Sequence, residues 1–371
     1  MGSSRAYSFF LLIAAALLPG CVFLPMESSK VPSQDSGAPA ALSDYREAVG
    51  VIHVHSTCSD GQLPPEKIAR IANRQGLDFL ILTDHNTLKG KEKEGRYGKT
   101  LLLVGEEIST AHGHYLALRI RQEVKSREDS QWTADQVAAQ GGLGFIPHPF
   151  WKRKPWSNPG LRGFTGIEIY NAAEDARFKN PAVLGAATVL QGSDLSVPRW
   201  FGRLDLSLEF WDRLLAAGRP ATGIGAADAH GLTRFGLRLA PYDTFFKLIR
   251  NHLLIPAGEV TESAVYEALE KGRLFVAHDI LADARGFQFV AMQGDQLRGT
   301  MGDQIHWEPG LKLHAILPAE AQMTLFMDGR AADEATGRDI WFDVSGKGIY
   351  RLEVSYKGRP WIYTNPVYVI E

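Results

Sequence analysis

Between residues 44 and 283 the apolar and polar positions follow two periods in turn. Short, almost wholly apolar runs predict strands buried on both faces: GVIHVH (50–55), LDFLILT (77–83), TLLLVGEEIS (100–109), HYLALRI (114–120), GLGFIP (142–147) and GFTGIEIY (163–170). Helical patterns lie between several of them, at 64–75, 133–140, 181–190 and 205–217. In the first of these Ile68 and Ile71 stand three apart beside Ala69 and Ala72, and Pro64 and Pro65 suit an opening turn. Such alternation predicts a mostly parallel sheet with helices over both faces, either an open doubly wound sheet or a closed α/β barrel. From residue 284 the pattern changes. FQFVAM, LKLHAIL, MTLFMDG, IYRLEVSY and WIYTNPVYVI predict strands with no substantial helix between them, read as a small all-β sandwich-like domain over 284–371. Extra strands laid on the barrel are the other arrangement.

The N-terminal text is of a third kind. Arg5 precedes an unbroken apolar stretch from Phe9 to Leu18, about 15 Å of helix and half a bilayer, which is a signal-peptide core rather than a span. Leu18-Pro19-Gly20-Cys21 resembles a bacterial lipoprotein box, with Pro19 an unusual member. Residues 1–21 therefore predict export and membrane attachment through a lipidated Cys21, on the periplasmic or cell-surface side. Residues 22–43, with Pro25, Pro32, Pro39 and several serines, predict a flexible tether. The stretch Lys89–Lys99 mixes charge signs and predicts a solvated loop, with an active-site lid as a second reading.

Charge and cysteine usage narrow the functions. A net charge of -2, from 40 basic and 42 acidic residues, argues against binding a nucleic-acid polymer through its backbone. Two cysteines, Cys21 and Cys58, exclude a disulfide framework and an all-thiolate metal site. Cys58 has no implied histidine partner and reads as a small, partly buried side chain. Nothing in the chain points to a protein partner.

Histidines and carboxylates carry the chemistry. His53 and His55 end the first run, Asp84-His85 the second and Glu106-Glu107 the third; His148 follows the fifth, and Asp228 and His230 follow ATGIGAA. In a closed barrel all strand C-termini meet on one face, so this repeated placement favours the barrel. Alternation in a strand points His53 and His55 the same way. Alone, that pair is as easily a satisfied polar pair as a metal site. Asp60, Asp84, His85, Glu107, His114, His148, Asp228 and His230 change the balance, because six imidazoles and up to four carboxylates in one cavity call for cations.

These segments resemble the PHP family, the polymerase-and-histidinol-phosphatase superfamily of metal-dependent phosphoesterases. The matching text is HVHSTCSDG (53–61), TDHN (83–86), GEEIS (105–109), GHYLAL (113–118), PHPF (147–150) and ADAH (227–230), within residues 48–280. The ending WIYTNPVYV and the GEEIS and GH motifs look most like the CehA/McbA-type hydrolase branch, reported to act on carbamate esters or amides. The resemblance implies a distorted seven-stranded (β/α) barrel holding two or three divalent ions, manganese, iron or zinc. It places His53, His55 and Asp228 on a first ion, with Glu107 bridging to a neighbour. Asp60, His85 and His230 would hold a second ion, and His114 and His148 with Glu107 a third. The Gly-x-Glu pattern selects Glu107 over Glu106, and His114 is preferred to His112. Asp84 would orient His85 or backbone. AAD stands where GSD is more common.

The implied reaction is hydrolysis of a small phosphoester by a metal-activated hydroxide. Carboxylic or carbamic ester or amide hydrolysis by the same centre is the alternative, and a non-catalytic metal-containing surface lipoprotein the second. Arg234, four residues after His230, is the expected phosphate-binding arginine. Lys152, Arg153 and Lys154 are either solvated surface or further anion contacts. Trp151, Trp156 and Trp200 either wall a leaving-group site or pack loops on the barrel.

Overall fold

A computed structural model describes residue 42 and residues 44–125, 129–177, 201–234 and 237–371, side chains excepted at 176–177, 232–234 and 237–240. The signal segment with Cys21, the tether before Leu42, the helical pattern at 181–190 and Trp200 lie outside the described residues. So does the Arg234 side chain.

Seven strands close a ring. They are β1 (Tyr45–Val54), β2 (Phe79–His85), β4 (Thr100–Thr110), β5 (Gly113–Leu118), β6 (Leu143–Ile146), β7 (Gly166–Asn171) and β8 (Thr222–Ala229), with β8 pairing back onto β1. Parallel pairing dominates, as the alternation of strands and helices predicts. β5 alone runs against the others, because the two-residue turn Ala111-His112 reverses the chain and Gly113 takes a φ of 126° to complete it. That reversal puts the start of β5, and with it His114, at the rim where the other strands end.

The interior below this rim is filled by Ile52, Phe79, Ile81, Leu103, Leu116, Leu118, Phe145 and Ile224. Outward residues of the same strands, such as Val51, Leu80, Leu82 and Ile167, meet the covering helices. Of these, α1 (Pro65–Arg74) buries Ile68, Ala69, Ile71 and Ala72, the spacing read from the sequence. α2 (Ser130–Ala139) is capped by Asp129, whose side chain accepts from the N–H groups of Gln131 and Trp132. The short α3 (Ala172–Arg177) follows β7, and α4 (Asp205–Ala216) buries Leu208, Trp211, Leu214 and Leu215. The stretch 89–99 is more ordered than its charge pattern suggests. It forms a 3-10 turn and the short β3 (Gly95–Tyr97), which pairs with β4, because Glu94 accepts from both the Val104 N–H and Lys91 Nζ.

Past β8 come a hairpin of β9 (Leu232–Arg234) and β10 (Leu237–Ala240), α5 (Tyr242–Leu248), β11 (Arg250–Pro256), α6 (Glu262–Lys271) and β12 (Leu274–Ala277). The first half of β1 pairs with β11, so the sheet forks there and leads away from the ring through β12. The later strands are β13 (Gln288–Gln293), β14 (Gln296–Thr300), β15 (Gln304–His306), β16 (Leu311–Met327), β17 (Arg330–Asp343), β18 (Gly348–Tyr356), β19 (Arg359–Thr364) and β20 (Val367–Ile370). They share a second core of Phe289, Leu313, Met323, Phe342, Leu352, Val354 and Trp361. Leu254, Phe275 and Ala277 of β11 and β12 join that core, and β12 hydrogen-bonds to β19, so the two cores are stitched through one continuous sheet. Leu42 packs on Val290 and Met292.

Two buried ionic networks reinforce the seam. His252 lies between Glu47, at 2.5 Å, and Asp279, at 3.2 Å, and is pushed up to about 9: burial works against that, and the two carboxylates outweigh it. Arg351 on β18 donates to both oxygens of Asp212 on α4, at 2.7 Å each, and to Glu353 at 2.6 Å.

Candidate metal centre

The rim gathers every histidine that the motifs single out. Glu107, fully buried on β4, is the hub, and its two oxygens face different groups. Oε2 lies 3.2 Å from His53, 3.3 Å from His55 and 3.1 Å from His85. Oε1 lies 2.6 Å from His114 Nδ1 and 3.0 Å from His148 Nε2. This is the arrangement a bridging carboxylate needs.

His53 and His55 do point the same way, although not by simple alternation. His53 has a φ of 63°, and the β1–β8 register shifts between Ile52 and Val54. The bulge turns both imidazoles inward, with their Nε2 atoms 3.1 Å apart. Asp228 Oδ1 stands 3.5 Å from His55 and 3.8 Å from His53. Asp60 reaches in from the turn after β1, its carboxylate 3.3 Å from His230, 3.7 Å from His85 and 3.6 Å from His55. Asp84 shapes that turn instead of joining the cluster. It accepts from the Ser56 N–H, Ser56 Oγ and Ser59 Oγ, at 2.8, 2.6 and 2.6 Å. Gly61 closes it, because a Cβ there would lie 2.2 Å from the His55 carbonyl oxygen.

All nine expected ligands thus converge. Their donor atoms fall into overlapping groups able to hold an ion: His55, Asp60, His85 and His230; His53, His148 and Asp228; His53, His55 and Glu107; His85, Glu107 and His114. His148 is within reach of His53 and Asp228 as well as sharing Glu107 with His114, a tighter weave than a three-way division of ligands. The backbones of His148 and Asp228 are left-handed too, with φ of 27° and 47°. Three non-glycine residues in this costly region at one site mark a geometry imposed on the chain.

The donor set fits divalent cations. Two imidazole nitrogens facing each other at 3.1 Å need a proton or a cation between them. Among the described residues, His55 Nδ1, His148 Nδ1 and Glu107 Oε2 are buried without a hydrogen-bond partner. The carboxylates bias these imidazoles toward positive charge. Burial pulls His53 down, yet Glu168, Glu107 and Asp228 drive it well above its ordinary value, and His55 is pushed up to about 9 against its own burial by Asp228 and Glu107. Burial raises Glu107, but His53, His114 and His148 hold it well below the usual carboxylate range. His85 falls to about 4, mainly through burial. The cluster can hold two or three divalent ions.

Glu168 is a buried carboxylate beside the cluster that the motifs do not reveal. It sits on β7 inside the apolar run Gly166-Ile-Glu-Ile, 1% exposed, with Oε1 2.5 Å from His53 Nδ1. A single carboxylate within an otherwise apolar strand is the signal that was there to find. Glu106 points away from the centre, accepts from the Val124 N–H and is raised to about 7 by burial. Trp151 lies over the centre, its ring 5.3 Å from that of His148 and 5.8 Å from that of His114, while Lys152 and Arg153 next to it are exposed. Trp156 packs beside Gly113 and donates to the Asn158 carbonyl. Cys58 is half-buried. His112 contacts Ser130 and takes no part in the cluster.

No family model matches the chain. It is 28% identical over 141 residues to an uncharacterized protein of Methanocaldococcus jannaschii, a match covering 33% of this chain and 80% of that one. A shorter segment, 62 residues and 16% of this chain, is 40% identical to a 5'-3' exoribonuclease of Haemophilus influenzae, of which the match spans only 23%. A solved two-domain protein of Bacteroides vulgatus, described as containing a predicted PHP-like metal-dependent phosphoesterase, overlays 88% of this chain and 96% of its own, at 17% identity and a TM-score of 0.43.

Proposed function

We propose that this chain is a metal-dependent hydrolase whose substrate is a small phosphoester. The observation that carries the reading is Glu107 set between two groups of imidazoles, with buried donor atoms left without a hydrogen bond. Divalent ions bound there supply an acidified water and a Lewis acid for the ester oxygen. Glu107 and Asp228 would help hold those ions and would offset their charge. The open side of the cluster is that of Asp60, His85 and His230, whose side chains are 55%, 27% and 25% exposed while His53 and His55 are sealed. Substrate enters from that side. The segment shared with an exoribonuclease, an enzyme of phosphodiester bonds, supports the phosphoester over the carboxylic or carbamic ester, as do the basic residues beside Trp151.

The test is elemental analysis of protein prepared without chelator, followed by turnover of matched p-nitrophenyl phosphate, phosphodiester and carboxylic ester substrates. Two or three ions and preference for a phosphoester are expected. One ion or none would end the metal-cluster reading, and preference for the carboxylic ester would move the substrate class. Arg234 remains the proposed phosphate contact. The proposed setting is an exported lipoprotein, carried by LPGC at residues 18–21. Labelled fatty acid should enter the wild type and not Cys21→Ser; an unlabelled wild type would remove the anchor.

A further inference from the structure

The buried carboxylate of Glu168 is fully occupied by the protein. Oε1 meets His53 Nδ1 at 2.5 Å, and Oε2 accepts from the His148 N–H at 2.7 Å and from Asn171 Nδ2 at 2.8 Å. Neither oxygen belongs to an ion-holding group of donor atoms. What it touches, however, are two members of one ion-holding group, His53 and His148, both in left-handed backbone. His53 turns its other nitrogen, Nε2, toward Glu107 and Asp228. With Nδ1–H committed to a carboxylate, the lone pair of the neutral ring is on Nε2, the nitrogen that faces the cluster.

We propose that Glu168 is a positioning residue: it fixes the tautomer of His53 and the backbone of His148, and so governs the affinity of the ion held on the side of His53, His148 and Asp228. The ion beside Asp60, His85 and His230 does not depend on it, since none of those three side chains touches Glu168 among the contacts described. This rests on the metal-hydrolase reading of the centre.

Glu168→Gln is the discriminating substitution. The two N–H donors at Oε2 require an oxygen there, which leaves the new amide NH2 facing His53 Nδ1. It would donate into that nitrogen, move the ring proton to Nε2 and remove the ligand lone pair. Metal-free full-length protein is titrated with Co2+, followed by its visible absorption, with thermal unfolding of the metal-free forms measured alongside. The wild type should take two or three tight equivalents. Glu168→Gln should show one fewer, with that ion weakened about 10–100-fold and the rest unchanged. Glu168→Asp, which keeps the charge, should recover part of the loss. If the wild type binds no Co2+, the metal reading itself fails. If both proteins bind equally, or the variant loses every ion at once, the role given to Glu168 is wrong while the metal reading stands. Should the variant not fold, nitrogen-15 NMR of Zn2+-loaded wild type decides the point: His53 must carry its proton on Nδ1 and its metal on Nε2. The opposite pattern overturns the proposal.

Discussion

Glu107→Gln should cost the protein at least one bound ion and about a thousandfold in kcat/KM, roughly 4 kcal/mol of transition-state stabilisation. The substitution keeps the shape of the side chain and removes what its position requires. Oε2 faces three imidazoles and Oε1 two. Whichever way the amide turns, its NH2 group meets imidazole nitrogens whose lone pairs bound ions would need, and the negative charge that would offset those ions is gone. Glu106→Gln is the control. Glu106 is one residue away, but its carboxyl looks outward to the Val124 N–H, and burial already favours its neutral form. That variant should keep its metal and its activity. Elemental analysis and kinetics on both proteins read the difference directly. Equal metal content in wild type and Glu107→Gln would remove Glu107 as the bridge.

Arg351→Ala should produce the largest loss of stability, about 3–5 kcal/mol, seen as a lower urea midpoint at neutral pH. Arg351 is 1% exposed, and its guanidinium is bonded to Asp212 and Glu353 and lies 4.2 Å over the ring of Phe326. Its removal leaves two carboxylates facing a cavity, with Arg203 the partner left to Glu353. Arg351→Met restores the packing on Phe326 but not the charge, so the gap between the two variants measures packing. The pH dependence follows from Glu353. Burial raises its carboxyl, but Arg203 and Arg351 bring it below the ordinary value. A depressed carboxylate contributes stability that is present above the unfolded value of about 4.3 and lost as pH falls through the folded one. The gap between wild type and Arg351→Ala should therefore narrow on acidification below about pH 4.5. A constant gap would mean that the guanidinium acts through packing alone.

The ring and the candidate ligands gathered at its rim were legible because their signals are local. Apolar runs at 77–83 and 100–109 predict buried strands, and a histidine or carboxylate closing one run after another marks a shared rim. Less legible was whatever depends on a reversal or a distortion. The turn at Ala111-His112 makes β5 antiparallel, yet it looks like any other connection in the text. The inward aim of His53 and His55 follows from alternation on paper and from a bulge in the molecule, two causes that happen to agree. Glu168 went unread because its neighbours Ile167 and Ile169 define the strand so strongly. The order of residues 89–99 depends on Glu94 meeting the Val104 N–H, a contact between segments that charge counting does not see.

The left-handed backbones of His53, His148 and Asp228 set two selective pressures against each other. A glycine at any of the three would relieve on the order of 1–2 kcal/mol of local cost while deleting a ligand. At His53 the relief is opposed by a second cost, because the same change leaves the buried Glu168 and Glu107 carboxylates without that imidazole. Any lineage that shed one of these side chains would therefore have to replace the buried partner on the other side of the pair as well, which ties the three positions to one another in sequence.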